Sequence, residues 1–295
     1  MEIRKVQRTA GDMHYVYLPT SWCKKHNIDS KTKVNIDEDS SGRLNIYPDE
    51  KSTKRDSHLN ISISEENQEV IHKLIMACYI NPLSSFQVKL DKDIDYTRLL
   101  NQKKIISLES VEIDRNIISS DSSVMLTDPD LLLITMVKKI RNLLLVMIKD
   151  YDSELINRYE EEIDRSKMLI EKSIISFMTL TTPMKLKTID LYYISLISRD
   201  LERFVDHLIK LEKSDKEYLK QIIESMDILK EIMDSLKKNK ANPEYKKALD
   251  FVRKVASIEN IKVKDVKHYD KRRIKGLLSS VSEVLIDWAI TKEIR

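Results

Sequence analysis

From Asp128 onward, apolar residues recur at intervals of three and four, the period of amphipathic helices. Asp128 and Pro129 open the first helix, as N-cap and first-turn proline. Asp152 or Ser153 starts a second, which runs through "RYEEEIDRSKMLIEKSIISFM". Pro183 opens a third, and Ser214 with Glu217 forms a capping box for a fourth. Asn242 and Pro243 start a fifth, and a sixth runs from about Val263 to the end. Short connections between six helices predict two antiparallel three-helix bundles in tandem.

The pattern before Asp128 is different. Residues 55–126 alternate between strand-like runs ("HLNISI", "SSFQVKL", "ESVEID", "SSVMLT") and helical ones ("EENQEVIHKLIMACYI", "DYTRLLNQKKII"), as in a small α/β layer. Within residues 1–50, "EIRKVQ" and "HYVYLP" read as strands, and "TSWCKKHNI" as a helix with Thr20 or Ser21 as N-cap. "KVNIDED" and "RLNIYP" make a hairpin about "SSG". Two ribbons and one helix cannot enclose a core, so this segment is expected to pair with a second copy. The expected fold is multidomain and mainly α: a β domain over 1–50, a small α/β domain over 55–126, and helical bundles over 127–295.

Composition narrows the chemistry. Only three glycines, Gly11, Gly42 and Gly276, occur in 295 residues, too scattered for a P-loop or a dinucleotide fingerprint. The net charge of +3 identifies no partner, so electrostatic arguments must be regional. Cys23 and Cys78 lie in apolar patterns and suggest no disulfide framework, which suits a reducing cytosol. The start "MEIRKVQRTA" does not read as a signal peptide, and "LLLITMVKKIRNLLLVMI" is interrupted by Lys138, Lys139 and Arg141. A cytoplasmic protein without membrane insertion is expected. Glu69 and His72 have the Glu-x-x-His spacing of carboxylate di-iron bundles, but the flanking elements offer too few helices to complete such a site. No nucleophile–base pair is legible, so no catalytic residue is assigned.

Two acidic pairs stand out. In "SRDLERFVDHLIKLEK" the stripe Leu201, Phe204, Val205, Leu208 and Leu211 is flanked by Glu202 and Asp206, one turn apart. In the second helix the stripe Ile156, Tyr159, Ile163, Ile170, Ile174 and Phe177 is flanked by Glu160 and Asp164. Each pair sits roughly 60 to 120° from the centre of its stripe. Antiparallel packing of the two helices turns both pairs toward one outer groove. Carboxylates gathered there repel unless compensated. Two readings are open: a solvated flank neutralised by Arg165, Arg199, Arg203 and Lys210, or an all-oxygen site for Mg²⁺, Mn²⁺, Ca²⁺ or iron. A shift of 70 residues lays "DLERFVDHL" over "DKRRIKGLL", matching Asp200 to Asp270, Arg203 to Arg273 and Phe204 to Ile274. The acidic pair is absent from the second copy, where Arg272 and Gly276 stand instead.

"DLERFVDHLIKL" resembles the "LERIGDHA" signature of the PhoU family of phosphate-uptake regulators, and "RYEEEIDRSKMLI" is similar to that family's second-helix Glu-x-x-x-Asp segment. The resemblance covers about residues 127–295. It implies tandem three-helix bundles, a metal role for Glu160, Asp164, Glu202 and Asp206, and partners such as a phosphate-transporter ATPase or a signalling protein. Val205 stands where the family usually has glycine. The opening "MEIRKVQRTAGDMHYVYLPTSWCKKHNI" resembles the swapped-hairpin domain of the AbrB/SpoVT family, whose archaeal members show a "LPKxWxxxHgI" pattern. That resemblance implies a dimer that grips DNA. Residues 1–33 carry seven Lys or Arg against three acids, with Arg4, Lys5, Arg8, Lys24 and Lys25 placed to reach phosphates, although residues 34–50 are acidic. The combined expectation is a DNA-binding regulator of phosphate uptake. The alternative is an adaptor whose first domain only dimerises.

Overall fold

Short strands come first in the computed structural model, and long helices follow. It describes residues 3–9, 11, 13–38, 42, 44–48, 58–81, 85–93, 111–121, 127–179, 186–238 and 243–294. The expected helix over "DYTRLLNQKKII", most of the strand "SSVMLT", the opening of a helix at Pro183 and Asn242 lie outside these residues. The chain divides into two units, Met1–Asp56 and Ser57–Arg295.

In the first unit, β1 (Gln7–Arg8) pairs antiparallel with β2 (His14–Tyr15). Helix α1 (Thr20–Lys25) follows. Strands β3 (Val34–Glu38) and β4 (Leu44–Pro48) then form the predicted hairpin, with Val34 opposite Pro48 and Glu38 opposite Leu44. The expected N-cap is corrected. Pro19 occupies that position with no side-chain cap, and Thr20 is the first helical residue. The helix ends on Asn27, whose φ of 51° is the left-handed conformation that asparagine tolerates. Asp29 then accepts the backbone N–H groups of Lys31 and Thr32, both at 2.9 Å, and closes the turn into β3. Among the described residues of this unit no side chain is buried. Ile3, Val6, Met13, Tyr17, Ile36 and Leu44 are all more than 60% exposed. An apolar surface of that extent has no core of its own.

The second unit begins with a four-stranded sheet of order β5-β6-β8-β7. Strand β5 (His58–Ile63) connects through helix α2 (Gln68–Ile80) to parallel β6 (Ser85–Leu90). Strands β7 (Val111–Asp114) and β8 (Ile117–Asp121) form a hairpin, with β8 antiparallel to β6. The β8 strand was not expected from the sequence; the turn into it is made at Arg115, whose φ is 51°. Ile71, Ile75, Cys78 and Tyr79 of α2 cover Phe86, Val88, Leu90 and Ile118 of the sheet.

Among the described residues six helices follow: α3 (Pro129–Lys149), α4 (Ser153–Thr179), α5 (Thr188–Leu208), α6 (Lys216–Lys238), α7 (Tyr245–Ser257) and α8 (Val266–Glu293). Asp152 caps α4 by accepting from the N–H groups of Glu154 and Leu155. The expected Ser214–Glu217 capping box is not the one formed. Asp215 instead accepts the Glu212 backbone N–H at 2.9 Å and holds a 3₁₀ turn, because its buried carboxylate is anchored 2.7 Å from Lys271. Helix α8 starts at Val266 rather than Val263, with the Asp265 side chain accepting from the His268 N–H. α3 packs on α4 and α6, while α5 packs on α4 and α8. The six helices therefore enclose one continuous core running from Leu133 to Ala289, rather than the two separate bundles expected. No helix among the described residues is long and apolar enough to cross a membrane.

The α/β layer is docked on this bundle. Met168 of α4 belongs to the core beneath the sheet, and Lys172, one turn on, lies with Nζ 4.0 Å from the Tyr79 ring centroid. Burial brings the Lys172 ammonium down from the usual lysine range to about 8. The unfolded chain keeps its proton to about 10.5. The folded state is thus penalised below pH 8, and the penalty is relieved as pH rises from there toward 10.5. Lys172→Met should stabilise the protein by on the order of 1 kcal/mol at pH 7. The gain should shrink by pH 9.5 in paired denaturant titrations. A gain that does not change with pH would assign the effect to packing alone.

Candidate metal centre and nucleic-acid interface

Helices α4 and α5 are neighbours because their apolar stripes meet. Ile156, Ile163, Ile170 and Ile174 are buried along α4, and Leu201, Phe204, Val205 and Leu208 along α5. That contact fixes the rotation of both helices and so the direction of the acids beside the stripes. Carboxylate oxygens of Asp164, Glu202 and Asp206 come within 4.8 Å of one another. Asp164 and Glu202 are half-buried and Asp206 is more open. Glu160, the fourth expected ligand, is half-buried one turn before Asp164 on α4 and is not part of that group. The predicted convergence thus holds for three of the four acids.

The expected neutralising cations divide. Arg199 lies 3.7 Å from Asp200, and Lys210 lies 3.8 Å from Asp270, so both serve the opposite flank of α5. His207 is on that flank too, its Nδ1 2.7 Å from Asp270. Arg165 remains on the acidic side. It and the four acids each make a polar or electrostatic interaction, so the groove is not bare. Next to it, Lys139 of α3 reaches Glu162 at 2.7 Å and, through that hydrogen bond, holds its carboxyl below the usual glutamate range. Three oxygen-donor side chains whose oxygens lie within 4.8 Å of one another, about twice a metal–oxygen distance, and open to water on one side, suit a hard cation such as Mg²⁺, Mn²⁺, Ca²⁺ or iron. In the second repeat, Arg272 and Gly276 are both exposed on α8 and supply no ligand. Among the described residues the three acids of α4 and α5 are the one group of this kind.

Arg4, Lys5, Arg8, Lys24 and Lys25 are exposed. Arg8 lies in the β1–β2 ribbon, and Lys24 with Lys25 forms the last turn of α1. Glu69 and His72 do not form a metal pair with further acids. Glu69 is exposed and bonded to Lys73 at 2.8 Å, the arrangement of an ordinary surface helix. Cys78 is buried in the α/β core, which pushes its thiol up, and no disulfide is formed.

The sequence did not single out Asp190 or Asp215, and gave Asp200 and Asp270 only as repeat matches. All four are buried carboxylates. Asp190 accepts from the Lys187 N–H and from the Trp288 indole, both at 2.9 Å. The signal for Asp200 and Asp270 was the recurrence of an aspartate beside the core stripe in both repeats. Asp190 had only its place three residues after a helix start. Comparison with family models, with curated proteins and with solved structures gives no match to this chain, so the resemblances to PhoU and AbrB/SpoVT rest on the quoted motifs.

Proposed function

We propose that this chain is a regulator of phosphate uptake rather than an enzyme. In this reading the first unit dimerises and binds DNA, and the helical unit binds a metal ion and a partner protein. The observation that carries it is the meeting of Asp164, Glu202 and Asp206 from two helices at the positions marked by the PhoU-like motifs. The exposed apolar side chains of the first unit support a second copy as their covering partner, since no residue described there is buried. Exposed Arg4, Lys5, Arg8, Lys24 and Lys25 then supply phosphate contacts, which give affinity without base specificity. The phosphate assignment follows from the motif resemblance. The metal would gather the acidic side chains of α4 and α5 and order the surface between them. Val205 is buried at 1% exposure on the inward side of α5, so the valine faces the core and not the groove.

The test is a salt titration of DNA binding. Replacing Arg4, Lys5 and Arg8 with Ala in the full-length protein should weaken binding and make the log–log salt slope shallower by about three, one for each lost phosphate contact. Unchanged affinity and slope, with the fold intact by circular dichroism, would remove the β1–β2 ribbon from DNA recognition and leave the adaptor reading. Sedimentation of the wild type as a monomer at micromolar concentration would remove the dimer as well.

A further inference from the structure

A second surface of the helical unit has a chemistry that neither the acidic groove nor the core explains. The segment leading into α8, with its first three turns, reads "IKVKDVKHYDKRRIKG", residues 261–276. It holds Lys262, Lys264, Lys267, Lys271, Arg272, Arg273 and Lys275 against Asp265 and Asp270. Part of that charge is used within the fold. Lys267 pairs with Glu212 at 2.7 Å, Lys271 with Asp215 at 2.7 Å, and Lys275 donates to Asn260 at 2.6 Å. Asp270 is buried against His207, and Asp265 caps α8. Lys262, Lys264, Arg272 and Arg273 are exposed, and none of the ion pairs among the described residues involves them.

Apolar side chains lie among these cations. Val263, Val266 and Tyr269 are 44%, 76% and 48% exposed, three residues apart along the chain. Lys262 and Lys264 flank Val263, Lys267 follows Val266, and Arg272 with Arg273 comes one turn after Tyr269. A stripe of exposed apolar residues edged by cations is the arrangement of interfacial helices that lie on anionic bilayers. A nucleic-acid groove would use the cations but would gain little from two exposed valines. At the corresponding place in the first repeat the basic excess is absent, with Glu202 and Asp206 where Arg272 and Gly276 stand.

We infer that the start of α8 is a peripheral docking surface for an anionic lipid bilayer, with Lys262, Lys264, Arg272 and Arg273 contacting headgroups and Val263, Val266 and Tyr269 entering the interface. This is surface attachment, compatible with the lack of a membrane-crossing helix among the described residues. It does not depend on the DNA or metal readings.

The test is co-sedimentation of the full-length protein with vesicles of phosphatidylcholine alone or with about one-third phosphatidylglycerol. Binding is expected to the anionic vesicles only, and to fall steeply between 0.05 and ~0.5 M salt, where screening shortens to a few ångströms. At about fivefold per basic residue, Arg272→Glu with Arg273→Glu should lower it by more than tenfold. Val266→Asp should weaken it severalfold at unchanged cation count, and the charge-reversal control Lys73→Glu on α2 should leave it intact. Val266 is three-quarters exposed, so its variant tests the surface without disturbing the core. Failure to bind anionic vesicles overturns the inference. So does binding that survives the Arg272/Arg273 reversal but is lost on replacing Arg4, Lys5 and Arg8. Binding that ignores Val266→Asp and is displaced by duplex DNA would make the surface a nucleic-acid contact instead.

Discussion

Trp288→Ala should destabilise the helical unit by about 4–5 kcal/mol, at the upper end of large-to-small core substitutions. The indole is 1% exposed and is among the largest fully buried side chains of the protein. It stacks on Tyr193 of α5 with ring centroids 5.9 Å apart, and its Nε1–H donates to Asp190 at 2.9 Å. The other oxygen of Asp190 accepts the Lys187 backbone N–H and so caps α5. A second link, from Tyr193 Oη to Thr291 at 2.7 Å, ties the same two helices. Losing the indole therefore empties a core site and strands a buried carboxylate oxygen. Trp288→Phe separates these effects. It keeps most of the apolar volume but removes the donor, and should cost about 1–3 kcal/mol. Denaturant unfolding of the three proteins reads both numbers. Equal losses for Phe and Ala would mean the hydrogen bond dominates, and no loss for Phe would mean that water replaces the indole donor.

The helical half was legible because its elements are long and its apolar stripes regular. Every residue expected along the α5 stripe, from Leu201 to Leu211, is buried to 1% or less. The acidic convergence was legible for the same reason. Once two stripes are fixed against each other, the flanks are fixed with them, and three of four acids meet. Glu160 stands outside that group although its four-residue spacing from Asp164 equals that of Glu202 from Asp206, so spacing alone did not decide which acids meet. Turn chemistry was less legible. The β7–β8 hairpin depends on a left-handed Arg115, a residue type that carries no turn signal, and the cap of the α5–α6 connection depends on Lys271 from far along the chain. That all six helices share one core was hidden as well. Periodicity says which face of a helix is apolar but not which of several apolar faces it meets. The docking of the α/β layer through Lys172 ran against expectation, since a lysine in a helix reads as solvent-facing until Tyr79 is seen beneath it.

Loading with a divalent or ferric ion should raise the melting temperature of the wild-type protein by on the order of 5–10 °C at a free-ion concentration about 100 times Kd, and Glu202→Gln with Asp206→Asn should abolish the shift. The argument is mass action: an ion that needs Asp164, Glu202 and Asp206 together is bound by the folded bundle and not by the unfolded chain, where α4 and α5 are apart. Glu160→Gln should leave most of the shift, since Glu160 is not in the group that closes to 4.8 Å. Glu283→Gln, on an exposed turn of α8, is the matched control. Binding should weaken as pH falls, because the ligands must be deprotonated and protons compete with the ion. Arg165 supplies the competing account. If its guanidinium is the true counter-charge of the acids, added metal will give no shift, and Arg165→Ala will create one by leaving the carboxylates to recruit an ion. If the wild type binds and Arg165→Ala changes little, the acids are ligands first. Metal content measured after gel filtration decides between these outcomes independently of the melting curves. A double variant that keeps both the wild-type content and the wild-type shift would reduce the groove to a solvated acidic face.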